Sequence, residues 1–223
     1  MAVNNLVLNY HDAVLYQSDI ALLESNNAWL NDACMNFYLT VLQQREDPIK
    51  VKFMDPAVVS FLMHQCDHDD WIEFTTSFTK PTELCIIPIN NAHVPSSLWQ
   101  THGSHWSLLV MSSREEVWHF DSVSRSNHVA AKAVMEKFQC LFGPTTTTTT
   151  NLHLREVVTP QQQNGYDCGL HALCAAEVIP SCKTVQDAEI MLNERFIPGF
   201  GNEMRLQVLN EAKRRIREFQ MSR

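Results

Sequence analysis

Apolar positions recur with two different spacings along this chain, and the change of spacing divides it. After Trp29-Leu30, the residues Cys34, Met35, Tyr38, Val41 and Leu42 fall at i, i+1, i+4, i+7 and i+8. That spacing predicts one face of a helix, with Asn31 or Asp32 placed to cap its start. Asp55-Pro56 marks a second helix start with proline at the first helical position. A short apolar turn at residues 20–23 follows Ser18-Asp19, and residues 71–78 read as a short helical or irregular segment.

From residue 84 the pattern becomes that of strands. Leu84-Cys85-Ile86-Ile87-Pro88-Ile89 has no polar interruption, which suits a strand covered on both faces, with Pro88 marking its end or a bulge. Residues 90–104 are polar and irregular. Residues 105–111 and 117–122 read as a hairpin joined through Ser112-Ser113-Arg114-Glu115. Residues 127–142 are helical and stop at Gly143-Pro144. The six threonines at 145–150 form a surface loop, or the lead into a strand at 152–158. Three helical stretches follow. One starts at Cys168 and stops at Pro180, a second begins at a cap formed by Thr184 and Asp187, and the last covers about residues 203–220. The last buries Leu209, Ala212, Ile216 and Phe219, and its basic run from Lys213 to Arg217 is a solvated face.

With 223 residues, 45% of them hydrophobic, the chain can build a real core, and no linker demands a boundary. A single domain over residues 1–223 is expected. Seven cysteines, scattered without C-x-x-C spacing, point to a reduced protein of the cytoplasm or nucleus. No basic segment leading into a long apolar one opens the chain, and no apolar run approaches membrane-spanning length, so neither a signal peptide nor a membrane partner is expected. A net charge of −8 argues against nucleic acid as the partner.

Gln162-Gln163-Asn164-Gly165-Tyr166-Asp167-Cys168-Gly169 carries the candidate chemistry. A thiol at a helix N-terminus feels the positive end of the macrodipole, which favours the thiolate. Gly165 and Gly169 allow tight turning and close approach. The competing reading is a buried structural cysteine opening a core helix. A thiolate that cleaves an amide also needs a base, a group that orients the base, and oxyanion donors. If the hairpin pairs about Ser113, His105 and Asp121 stand directly opposite on one face, with Cβ atoms about 5 Å apart. A one-residue slip would part them. His102, His119 and His171 are rival bases. The oxyanion donors would be the Cys168 N–H and an amide from Gln161, Gln162 or Gln163. His64-Gln65-Cys66-Asp67-His68 gathers ligand-type residues, yet no second pair stands at zinc-site spacing, so no metal is expected.

His105-Trp106, Phe120-Asp121-Ser122 and Gln162 followed by Asp167-Cys168-Gly169, together with the early Trp29-Leu30-Asn31-Asp32, resemble the Ulp/sentrin-specific cysteine proteases. The segments at 101–110, 121–127 and 162–169 are most similar to the deneddylase branch of that family. The resemblance implies a papain-like α+β fold with a central, mostly antiparallel sheet flanked by helices. It implies a monomeric, cofactor-free protease that cleaves after the C-terminal Gly-Gly of a ubiquitin-like modifier of the Nedd type. By the same resemblance, Cys168 is the nucleophile, His105 the base and later acid, Asp121 the orienting carboxylate and Gln162 the oxyanion amide. Trp29 and Trp106 would flank a narrow channel over the Gly-Gly tail, Asp32 would help hold that tail, and the loop containing Asn91, His102 and Gly103 would grip the modifier. A SUMO- or ubiquitin-directed protease is the alternative within the family. A catalytically dead modifier-binding scaffold and an acyltransferase are alternatives outside it, the latter lacking any phosphate-binding signature.

Overall fold

A computed structural model describes residues 4–78, 83–93, 103–113, 116–141 and 152–221. The chain opens on a hairpin, β1 (Leu6–Tyr10) and β2 (Ala13–Tyr16), turned at His11 with a positive φ of 50°. The sequence pattern does not reveal this hairpin, because the outward-facing Leu6, Val14 and Tyr16 are as apolar as the buried Leu8 and Leu15. Helix α1 (Gln17–Glu24) extends the expected short turn. In α2 (Asp32–Gln43), Asn31 is the cap, its Oδ1 accepting the Cys34 N–H at 3.0 Å, so Asp32 is the first helical residue. Strand β3 (Val51–Phe53) precedes α3 (Pro56–His64), whose Asp55 cap and leading proline match expectation. The segment after it is a regular helix, α4 (His68–Ser77), capped by Asp67.

The remaining elements are β4 (Leu84–Asn90), β5 (Trp106–Ser112), β6 (Val117–Phe120), α5 (His128–Phe138), β7 (Leu154–Glu156), α6 (Cys168–Val178), α7 (Val185–Arg195) and α8 (Phe200–Met221). The second sheet runs β3-β4-β5-β6-β7, with its two longer, central pairings antiparallel and its short outer ones parallel. Every residue of β4 and β5 is buried. Ile86, Leu108 and Val110 join a core with α2 and α6, while Ile87, Leu109 and Met111 join another with α3 and α5. At about 1.5–3 kcal/mol per fully buried Leu, Ile or Val, this two-faced burial is what requires the unbroken apolar run at β4. Helix α6 runs through the interior, and nine of its eleven residues are buried.

Two details of the sheet differ from expectation. Pro88 neither ends β4 nor bulges it. Leu84 donates to the Lys50 carbonyl and Ile86 accepts from the Met54 N–H, so even-numbered residues of β4 turn their backbone groups towards β3. Pro88 therefore faces a side on which β3 has already ended at Phe53, and no ladder bond is lost. The hairpin register also lies two residues from one centred on Ser113, with Leu108 facing Phe120 and Met111 facing Val117. His105 would thus stand opposite Val123 and diagonal to Asp121. An even shift leaves both on the same face. The threonine tract, the Arg114-Glu115 turn and His102 lie outside the described residues.

Candidate active site

The thiol of Cys168 opens α6 from a turn built by its own side chains. Asn164 Oδ1 accepts the N–H groups of Tyr166 (3.1 Å) and Asp167 (3.0 Å), and Asn164 Nδ2 donates to Asp167 Oδ2 at 2.8 Å. The buried Arg205 guanidinium binds the carbonyls of Leu22 (3.0 Å) and Ala28 (2.7 Å) and lies 3.6 Å from Asp167 Oδ1. It ties the segment bearing Trp29 to the residue preceding the thiol. Gly201 makes this possible, since a Cβ there would stand 2.2 Å from Asp167 Oδ2. The sequence signal for Arg205 is a cation inside the apolar stripe of Met204, Val208 and Leu209.

At the sheet edge, His105 Nε2 and Asp121 Oδ1 are 2.6 Å apart, and both residues are buried. The Asp121 carboxylate also accepts the N–H groups of Val123 (3.0 Å) and Asn127 (2.9 Å). Burial works against its charge, but His105 and these two N–H groups outweigh that and hold it below the usual carboxylate range. Burial likewise opposes a charged His105, yet its bonds to Asp121 and Cys168 push it up to about 9. Burial raises the Cys168 thiol. The bond from His105, then the Trp106 backbone N–H and the Trp29 indole (Nε1 to Sγ, 3.0 Å) overcome this and lower it. With Nε2 committed to Asp121, Nδ1 is the nitrogen left for sulfur. The site is set up to hold a thiolate–imidazolium pair.

The three glutamines separate. Gln161 bridges the Asp121 carbonyl (3.1 Å) and the Ser124 N–H (2.7 Å). Gln163 is exposed and bonds back to the Gln161 carbonyl. Gln162 is half-buried between two anchors, its Oε1 accepting from Ser122 Oγ at 2.7 Å and its Nε2 donating to the Asn164 carbonyl at 2.6 Å. One amide hydrogen of Gln162 remains beyond that bond.

Two of the rival histidines, His119 and His171, serve elsewhere. His119 shares the face of Asp121 but binds Ser107 and Glu156, each at 2.9 Å. His171 packs on Phe196 and Phe200, and burial lowers it to about 4. In the segment from His64 to His68, Asp67 caps α4, and among the described residues no three ligating side chains converge on a metal position.

The substrate-binding expectations need one correction. Trp29 and Trp106 do not flank an open channel. Their rings stack at 5.9 Å and 22°, and Trp106 is 1% exposed with its Nε1 bound to the Leu30 carbonyl, so it backs Trp29 from inside the core. The Asn91 side chain binds both Ser104 (Oδ1 to N–H, 2.7 Å; Nδ2 to Oγ, 2.9 Å) and the His105 N–H (3.3 Å). It pins the approach to His105. Gly103 lies against Asn90, whose Oδ1 leaves no room for a Cβ. Asp32 stands exposed in the first turn of α2.

Comparison with known proteins agrees with this geometry. The family model described as the Ulp1 protease family, C-terminal catalytic domain, matches residues 28–216. The chain is 35% identical to the probable sentrin-specific protease 8 of Dictyostelium discoideum, over 77% of this chain and 74% of that protein. It is 31% identical to NEDD8-specific protease 1 of Arabidopsis thaliana, over 78% of this chain and 74% of that one. Its fold resembles the C-terminal Ulp1 protease domain solved in complex with Smt3, the yeast ortholog of SUMO. The TM-score is 0.64 at 18% identity, over 96% of this chain and 90% of the other.

Proposed function

The chain belongs to the Ulp1 protease family, a family of cysteine proteases, and from that footing we propose that its substrate is a Nedd-type ubiquitin-like modifier, cleaved after the C-terminal Gly-Gly. The reading covers both precursor processing and release of the modifier from lysine conjugates. The observation that carries it is the bond between His105 and Asp121 (2.6 Å) beside a Cys168 thiol whose pKa is lowered. Support for the modifier comes from the names of the relatives above.

In the proposed mechanism the Cys168 thiolate attacks the carbonyl of the modifier's last glycine, forming a C–S bond. The developing oxyanion is met by the Cys168 N–H at the α6 terminus and the remaining Gln162 amide hydrogen. His105 gives its proton to the departing lysine amine or peptide nitrogen as the C–N bond breaks. Water, deprotonated by His105, then hydrolyses the thioester and returns the thiol. Asp121 holds the imidazole throughout. Trp29, donating to sulfur, would form one wall over the tail, where residues without a Cβ pass most easily. Asp32 and the loop through His102 and Gly103 remain proposed contacts to the modifier. The reading further holds that the enzyme acts as a monomer in the cytoplasm or nucleus. The six described cysteines are all unpaired, which suits a reducing compartment.

The test offers the purified protein Nedd-type, SUMO and ubiquitin modifiers carrying a C-terminal electrophile. Covalent capture of the first in preference, lost in Cys168→Ala, supports the reading. Preferential capture of SUMO or ubiquitin overturns the choice of modifier.

A further inference from the structure

His105 and Asp121 lie just beyond the strands that deliver them, since β5 begins at Trp106 and β6 ends at Phe120, and His105 keeps one long main-chain bond, its carbonyl accepting the Asn91 N–H at 3.3 Å. The geometry points to Asn127 as the positioning residue that locks these two together for catalysis, a role that rests on the protease reading above. Its backbone N–H donates to Asp121 Oδ2 at 2.9 Å, and its Nδ2 donates to the His105 carbonyl at 3.1 Å. One residue thus grips the carboxylate of one partner and the main chain of the other. The same Nδ2 reaches Ser107 Oγ (2.9 Å) and the Ile89 carbonyl (3.3 Å), which fasten it to β5 and β4.

Three features separate this from ordinary capping. Asn127 stands at the N-cap of α5, where an asparagine normally accepts from its own helix, yet it makes no such bond. It is 1% exposed, and its Oδ1 has no donor. An unmade bond on a buried carbonyl oxygen destabilises the fold. The side chain is oriented by its donor end alone. Turning the amide over would set Oδ1 against the oxygens of Ile89, His105 and Ser107. The N-terminus of α5 also faces Asp121, where the helix dipole favours the ionised carboxylate that His105 needs.

Asn127→Ala should therefore lower kcat about ten- to a hundredfold, as expected when a catalytic group is misplaced, with KM for the modifier changed by no more than about twofold. A loosened His105 gains less from Asp121, so the alkaline limb of kcat should move to lower pH. A purely structural residue would lower the thermal midpoint without moving that limb. Should the alanine variant not fold, Asn127→Leu, similar in size and without the donors, takes its place. Turnover of a Nedd-type modifier bearing a C-terminal aminocoumarin, measured from pH 6 to 10, reads all of this. Unchanged kcat, or a loss confined to KM with a fixed alkaline limb, overturns the role of Asn127. An inactive wild-type protein would instead count against the choice of modifier.

Discussion

His105 and Asp121 meet at 2.6 Å from positions just outside the strands that deliver them, on a diagonal of the β5–β6 pairing. The pairing brings their main chains near, but the bond is completed by groups beyond the ladder: the N–H donors of Val123 and Asn127 on Asp121, and Asn91 on the His105 N–H. A base fixed in this way can stay protonated next to sulfur. The thiol at the start of α6 is the third member, and its charge depends on the other two.

The pH profile of turnover should be bell-shaped, with an alkaline limb near pH 9. His105 is raised to about 9, so the imidazolium survives at neutral pH and is lost as pH rises through that value. Cys168 is lowered, so the acid limb, where sulfur takes up its proton, should fall below the ordinary thiol range. Values of kcat/KM for a modifier–aminocoumarin substrate across pH give both limbs.

Removing the nucleophile and removing its orienter should differ in kind. Cys168→Ala should abolish turnover and leave modifier binding intact. Asp121→Asn should retain residual activity, reduced about a hundred- to ten-thousandfold, because it weakens acid–base catalysis while sparing sulfur. Its alkaline limb should move to lower pH, since the carboxylate that raises His105 is gone. Steady-state kinetics and calorimetric binding separate the two.

Among the glutamines, only Gln162 is assigned to the oxyanion. Gln162→Ala should lower kcat about a hundred- to a thousandfold, the usual cost of one such donor. The exposed Gln163→Ala should leave kcat near that of the parent. Parallel kinetics of the two variants provide the comparison.

A stability prediction concerns the turn before the thiol. Gly201→Ala would place a Cβ 2.2 Å from Asp167 Oδ2 and force the two segments apart. Overpacking of this sort costs about 1–3 kcal/mol, so the thermal midpoint should fall by several degrees. Differential scanning calorimetry checks it.

Much of this architecture was legible from residue pattern, and the exceptions have physical reasons. The unbroken apolar run at 84–89 announced a strand buried on both faces, and the period-3.6 stripe of α2 announced its core side. The opening hairpin was hidden because both of its faces are apolar, and β3 because three residues carry no period. A hairpin centred on Ser113 predicts the His105–Asp121 pairing, and the observed register lies two residues away. The face is right only because the offset is even. The stacking of Trp29 on Trp106 depends on which indole finds a buried acceptor, here Trp106 on the Leu30 carbonyl. Asn127 lay inside a motif already singled out, but nothing in its spacing revealed that its amide turns away from its own helix.

The most direct measurement is the rate at which iodoacetamide alkylates Cys168 as a function of pH, followed by peptide mapping in the wild-type protein and in His105→Ala. The ion-pair account predicts that the wild-type sulfur reacts as a thiolate below the ordinary thiol range, and that the His105→Ala thiol titrates at or above that range. A wild-type Cys168 that titrates like a free or buried thiol, unchanged by the loss of His105, would contradict it.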